Sequence, residues 1–135
     1  MMSTAESVVQ GYYEAINRAD WAALDGCVSA EYAHHTPGFP PGLRAFKRLL
    51  IAYHAAFPDL TNIVQEMICA DDRVIVRVQT RGTHRAPFLG HAPTNRAFVA
   101  QGIDIFRLAD NQIIECHSVF DTFSMLQQLG LHRPA

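Results

Sequence analysis

Lysine is almost missing from this chain. Lys47 is the only lysine in 135 residues, and the other ten of the 11 cations are arginines. Against 13 acidic residues the formal charge is −2, and no block of like charge exceeds two residues. The basic footprint of a nucleic-acid binder is therefore excluded. Charged residues reach only 18%, which is low for a free surface and points to a homodimer. Cysteine is scarce as well. Cys27, Cys69 and Cys116 lie 42 and 47 residues apart with no CxxC spacing, which argues against a disulfide framework and a cysteine zinc site. They read as small buried hydrophobes in a reducing cytosol. No apolar run approaches the length of a transmembrane helix. Met1–Glu6 has neither the basic nor the apolar region of a signal peptide, so a cytoplasmic location is expected. No HxH, HExxH or DxD spacing, no Walker motif and no GxGxxG occurs, so neither a metal nor a cofactor is expected.

What is present is apolar material, at 49%, enough for one folded domain over residues 1–135. Ser3 and Glu6 fit a capping box. Val8, Val9, Tyr12, Tyr13 and Ile16 then recur at helical spacing, which predicts a helix over 4–18. Asp20 caps a short second helix from Trp21 to about Val28. The segment 31–41 holds three prolines and a glycine and reads as a loop, with room for a short strand at 31–34. Leu43, Phe46, Leu49, Leu50, Tyr53 and Phe57 mark a third helix, stopped by Pro58. Residues 60–70 are β-capable, and Asp71-Asp72 is a turn. Val74, Val76 and Val78 alternate with polar residues as one strand. A second Pro/Gly loop spans 85–94. Strands at 98–107 and 113–120 flank the Asp110-Asn111 turn, and a helix at 122–129 ends at Gly130. The fold class is α+β: an antiparallel sheet curved around helices into a cone, whose mouth suits a small hydrophobic ligand.

Five segments in order, HHTPGFPPG (34–42), AAFPDL (55–60), DRVIVRVQTRGTH (72–84), GIDIFRLADNQIIE (102–115) and DTFSMLQQLG (121–130), resemble the SnoaL-like polyketide cyclase branch of the NTF2-like superfamily. The resemblance implies a cone-shaped barrel, commonly dimeric through its sheet, and cofactor-free acid/base chemistry of the aldol type in a hydrophobic pocket. The sequence departs from it where chemistry is expected. Cyclases commonly carry a histidine in the GIxIF segment and an EHWD-like run on the last strand. Here Asp104 takes the first place and Glu115-Cys116-His117-Ser118 the second.

Asp104 is the leading candidate. It sits among Gly102, Ile103, Ile105 and Phe106, where desolvation would raise its pKa toward that of a useful base. The alternative is an outer-face aspartate paired with Arg77 or Arg107. A two-residue turn sets Asp104 opposite His117, and a three-residue turn sets it opposite Cys116. One apolar set must face outward, either Ile103, Ile105 and Val119 or Phe106, Ile114 and Phe120. His35, His84 and His117 are candidates to polarise a carbonyl or protonate an alkoxide. Asp121 reads first as a helix cap and second as a catalytic group. His34, Phe39, Trp21, Tyr53, Cys116 and Ser118 are candidates for the pocket wall. Two functions fit: an enzyme abstracting a proton α to a carbonyl, as in polyketide cyclases, with epoxide hydrolase-like chemistry as a variant; or an NTF2-like module that binds a ligand without catalysis.

Overall fold

The computed structural model describes residues 2–131. Met1 and residues 132–135, which include His132 and the end of the expected domain, lie outside the described residues. Helix α1 (Thr4–Asn17) begins at the expected capping box. Ser3 accepts from the Glu6 amide, and the Glu6 carboxylate accepts from the Ser3 amide. Its inward stripe, Val9, Tyr12, Tyr13 and Ile16, is buried. Helix α2 (Trp21–Cys27) follows, capped by Asp20, whose Oδ1 accepts from the Ala23 amide at 3.0 Å. Then come β1 (Val28–His35), α3 (Leu43–Ala56), β2 (Thr61–Ala70), β3 (Arg73–Thr83), β4 (Ala97–Ala109), β5 (Gln112–Phe120) and α4 (Thr122–Gln128).

The five strands form one sheet in the order β1-β5-β4-β3-β2. The sheet curves over the helices without closing, giving the expected α+β cone. Two expectations are corrected. The short strand allowed for at 31–34 is formed and longer, so the described residues hold five strands: β1 takes in residues 28–35, where a helix end and a loop were expected. The sheet is also mixed rather than antiparallel, because β1 runs parallel to its neighbour β5. The sequence hides this strand for a physical reason. Its register shifts between Val28 and Ala33, and exposed Ala30 interrupts the inward series Val28, Tyr32 and His34.

On β4 the alternation is regular. Phe98, Ala100, Gly102, Asp104, Phe106 and Leu108 face the helices, and Val99, Ile103 and Ile105 face away. On β5 Val119 lies on the same outward face, so the first of the two expected apolar sets is the outer one. Val74, Val76 and Val78 of β3 lie beneath α1 in the core with Phe106, Ile113 and Cys116. A second cluster joins Phe57, Phe88, Phe98, Met125 and Leu129.

The β4–β5 turn has two residues, Asp110 and Asn111, with φ of 52° and 61°, the left-handed conformation of a tight hairpin turn. Taken alone, that turn would set Asp104 opposite His117. The ladder instead steps from Leu108↔Ile113 to Arg107↔Glu115, so Ile114 is an extra residue on β5. This bulge moves every later partner by one, and Asp104 pairs with Ser118. Neither expected register, His117 or Cys116 opposite Asp104, occurs.

Candidate active site

A cavity of about 250 Å³ opens between α1, α3 and the inward face of β3, β4 and β5. Its walls are apolar, with Phe46, Leu50, Tyr53, Phe98 and Phe120 among them. Few polar groups break that surface: Asp104 and Ser118 from the sheet, Tyr12 and Tyr13 from α1, His34 from β1, and Asn62 with Thr80 from β2 and β3. An apolar hollow with a few convergent polar groups is the ordinary form of a small-molecule site.

Asp104 is the centre of this set. It is 8% exposed, and its Oδ2 accepts a 2.5 Å hydrogen bond from the Tyr13 hydroxyl. That length belongs to a charge-assisted bond from a hydroxyl to a carboxylate. Burial pushes the Asp104 carboxyl above its ordinary pKa of 3.8, and hydrogen bonds with Ser118 and Tyr13 restrain the rise. The alternative pairing with arginine does not occur. Arg77 lies on the outer face with Gln65 and Glu66, and Arg107 holds Glu115. The carboxylate is thus satisfied by neutral donors and faces the cavity.

His34 enters the wall because β1 alternates. Its ring stacks on Phe46 with centroids 4.0 Å apart, and its Nδ1 shares a 2.6 Å hydrogen bond with the Tyr32 hydroxyl. Burial lowers its pKa to about 4, helped by the nearby charges of His35 and His117, so the imidazole is neutral at physiological pH. Asn62 and Thr80 form the second polar group, with Thr80 Oγ1 donating to Asn62 Oδ1 at 2.7 Å. Asn17 of α1 accepts from the Asn62 amide at 2.8 Å and fixes this corner to the helix.

Of the residues expected at the site, Asp104, His34, Phe39, Tyr53 and Ser118 line the cavity. The others do not. His84 is fully buried beyond the cavity. Its Nδ1 accepts from the Thr94 amide at 3.2 Å, and its ring stacks on Phe57. His35 and His117 project from the outer face of the sheet, because the neighbouring positions His34 and Cys116 take the inner one. Cys116 is completely buried beneath the cavity wall, where desolvation and the Asp104 charge raise its pKa and a hydrogen bond with Tyr32 opposes them. Trp21 packs edge-on against His54, 5.6 Å between ring centroids. Asp121 caps α4, accepting from the Ser124 amide at 3.0 Å.

Tyr13 was not singled out as a site residue. Its place on the apolar stripe of α1 reads as core, yet a buried phenol needs a partner. Asp104 was the acid already expected among apolar residues on a strand, so that requirement was the available signal.

The SnoaL-like polyketide cyclase model matches residues 6–129. No curated protein matches the chain. Among solved structures, IdmH of Streptomyces antibioticus, a proposed polyketide cyclase, is 31% identical with a TM-score of 0.85, over 95% of this chain and 99% of its own. AclR of Streptomyces galilaeus, a proposed hydroxylase, is 23% identical with a TM-score of 0.89, over 100% and 90%. TsrD of Streptomyces laurentii is 22% identical with a TM-score of 0.87, over 98% and 100%. The last two bear on the fold alone. The family model spans nearly the whole chain and IdmH agrees with it from end to end, so this protein belongs to the SnoaL-like polyketide cyclase family.

Proposed function

We propose that the protein is an acid/base enzyme that abstracts a proton α to a carbonyl of a hydrophobic compound, with Asp104 as the base and aldol-type ring closure as the outcome. The observation that carries this reading is the state of Asp104: a buried carboxylate facing an apolar cavity, held by Tyr13 and Ser118 and unpaired with any arginine among the described residues. Desolvation makes a carboxylate a stronger base. His34 is the group suited to the carbonyl oxygen. In the tautomer where Tyr32 donates to Nδ1, Nε2 carries the ring proton and can donate it to a developing enolate. Both groups stand in one apolar pocket, which can hold the two reacting carbons together.

The cavity, at about 250 Å³, is at the small end of ligand sites. It fits a compact substrate, or the reacting end of a longer one that projects past Phe39 at the mouth. Relative to the family pattern, the carboxylate has moved across the ladder. Ser118 stands where the EHWD-like run carries aspartate, and Asp104, its cross-strand partner, carries the acid instead. A carboxylate is thereby kept in the same pocket, and this favours an enzyme over a module that only binds.

Proton exchange tests the reading without knowledge of the natural substrate. Hydrophobic cyclic 1,3-diketones and β-keto esters in D2O, followed by proton NMR, are expected to exchange their α-protons faster with the protein than without it. Asp104→Asn should remove roughly 10²–10⁴-fold of that acceleration, the usual share of a positioned base. Equal acceleration by the variant would remove Asp104 from the mechanism.

A further inference from the structure

We propose that His35, Glu115 and His117 form a binding site for a divalent transition-metal ion of the Zn²⁺ class, on the face of the sheet opposite Asp104. The parallel pairing of β1 with β5 sets His35 beside His117, and Glu115 lies two residues before His117 on the same outward face. The ring centroids are 4.4 Å apart with 19° between planes. Glu115 Oε2 lies 3.1 Å from His35 Nε2 and 3.8 Å from His117 Nε2, and one donor atom from each residue falls within 4.8 Å of the others.

Two imidazoles and a carboxylate are a recurrent donor set for Zn²⁺ and its neighbours in the first transition row. Donors on a shared tetrahedral ion at 2.0–2.2 Å stand about 3.4 Å from one another. A rotation of the His117 side chain, which is 55% exposed, would bring the trio to that spacing. The carboxylate is already aimed. Arg107 Nε holds Oε1 at 3.3 Å and leaves Oε2 toward the histidines, the kind of outer partner that orients a metal ligand. All three ligands sit on strands, so their Cα positions are fixed by the ladder.

The place has a consequence. The trio borders a hollow lined by Thr36, Pro37, Phe39, Ser118 and Val119, and the same five residues line the catalytic cavity. An ion there joins β1 to β5 beside the mouth. It would act as a clasp on the parallel edge pair, which no hairpin connects. This role is independent of the chemistry assigned to Asp104.

The test uses the full chain, stripped with a chelator, titrated with Zn²⁺ by calorimetry and with Co²⁺ by visible absorption. One equivalent per chain should bind with micromolar affinity or better, and Zn²⁺ should raise the melting temperature. Glu115→Gln and His117→Ala should each weaken binding about tenfold or more, and His35→Ala/His117→Ala should abolish both binding and the thermal shift. Circular dichroism of each variant separates lost ligands from lost fold, and Asp104→Asn should bind as the wild type does. No saturable binding of either ion up to about 1 mM, or undiminished affinity in the folded double variant, would overturn the proposal.

Discussion

Two nearly isosteric substitutions at the Tyr13–Asp104 pair should move stability in opposite directions. Tyr13→Phe deletes one oxygen and opens almost no cavity. It leaves a buried carboxylate oxygen without its 2.5 Å donor. A hydrogen bond to a charged group contributes about 1.5–3 kcal/mol, and an orphaned acceptor keeps the desolvation cost. At roughly 3–5 °C per kcal/mol for a chain of this size, the melting temperature should fall by about 5–15 °C at neutral pH. Asp104→Asn keeps an oxygen to accept from Tyr13 and removes the charge, so its melting temperature should hold or rise. The pH dependence follows from the raised Asp104 pKa. Between the ordinary value of 3.8 and the raised one, the folded chain binds the proton and the unfolded chain does not. This group's contribution to stability is therefore complete below about pH 3.8 and is lost as pH rises through the raised value. The advantage of Asp104→Asn over wild type should accordingly shrink as pH falls toward 4. Thermal melts of wild type and both variants between pH 4 and 8 read all of this. A neutral Tyr13→Phe together with a strongly destabilised Asp104→Asn would refute the reasoning, because it would mean that the carboxylate is a structural anchor.

Other expectations follow from particular residues. The outer sheet face shows Val99, Ile103 and Val119 at 43–66% exposure, and we propose that a second copy of the chain covers it; sedimentation should give a dimer for wild type and a monomer for Val119→Glu, and a monomeric wild type would contradict this. Asp121→Ala should cost about 0.5–2 kcal/mol through the lost cap of α4 and leave proton exchange unchanged, whereas a large loss of exchange would return Asp121 to the mechanism. Deleting Ile114 removes the bulge and makes the ladder continuous from Leu108↔Ile113 to Arg107↔Glu115, so Asp104 stays opposite Ser118; the variant should fold and keep proton exchange, whereas an unfolded or inactive deletion variant would show that the bulge itself is needed to hold the register.

Much of the fold was legible because local signals agreed with it. Ser3, Asp20 and Asp121 cap helices, Val74 to Val78 alternate, and Asp110-Asn111 turns the last hairpin. The element pattern and the family resemblance both point to the cone, and the family match agrees with it. Two features were not legible. The parallel pairing of β1 with β5 joins residues about 80 positions apart, as in the contact between His35 and Glu115, and leaves no local pattern. The bulge at Ile114 occurs in a sequence, Ile113-Ile114-Glu115, that gives no glycine or other mark of an extra residue. Those two features decide which histidines reach the cavity. Asp104 was recognisable from its apolar neighbours, but its partners Tyr13 and Ser118 depended on packing and register. His35 and His117, candidates for the cavity, lie on the outer face for the same reason, and the cluster they make with Glu115 is invisible to spacing rules that count along one strand.

The central claim is that Asp104 is a desolvated carboxylate presented to the cavity as a base. Carbon-detected NMR of the carboxyl groups, with the Asp104 signal assigned by its loss in Asp104→Asn, measures this directly. The account predicts a midpoint clearly above 3.8 for the folded protein, rising further in Ser118→Ala as one restraining hydrogen bond is removed. A midpoint at or below 3.8 would show an ordinary or ion-paired aspartate and would contradict it.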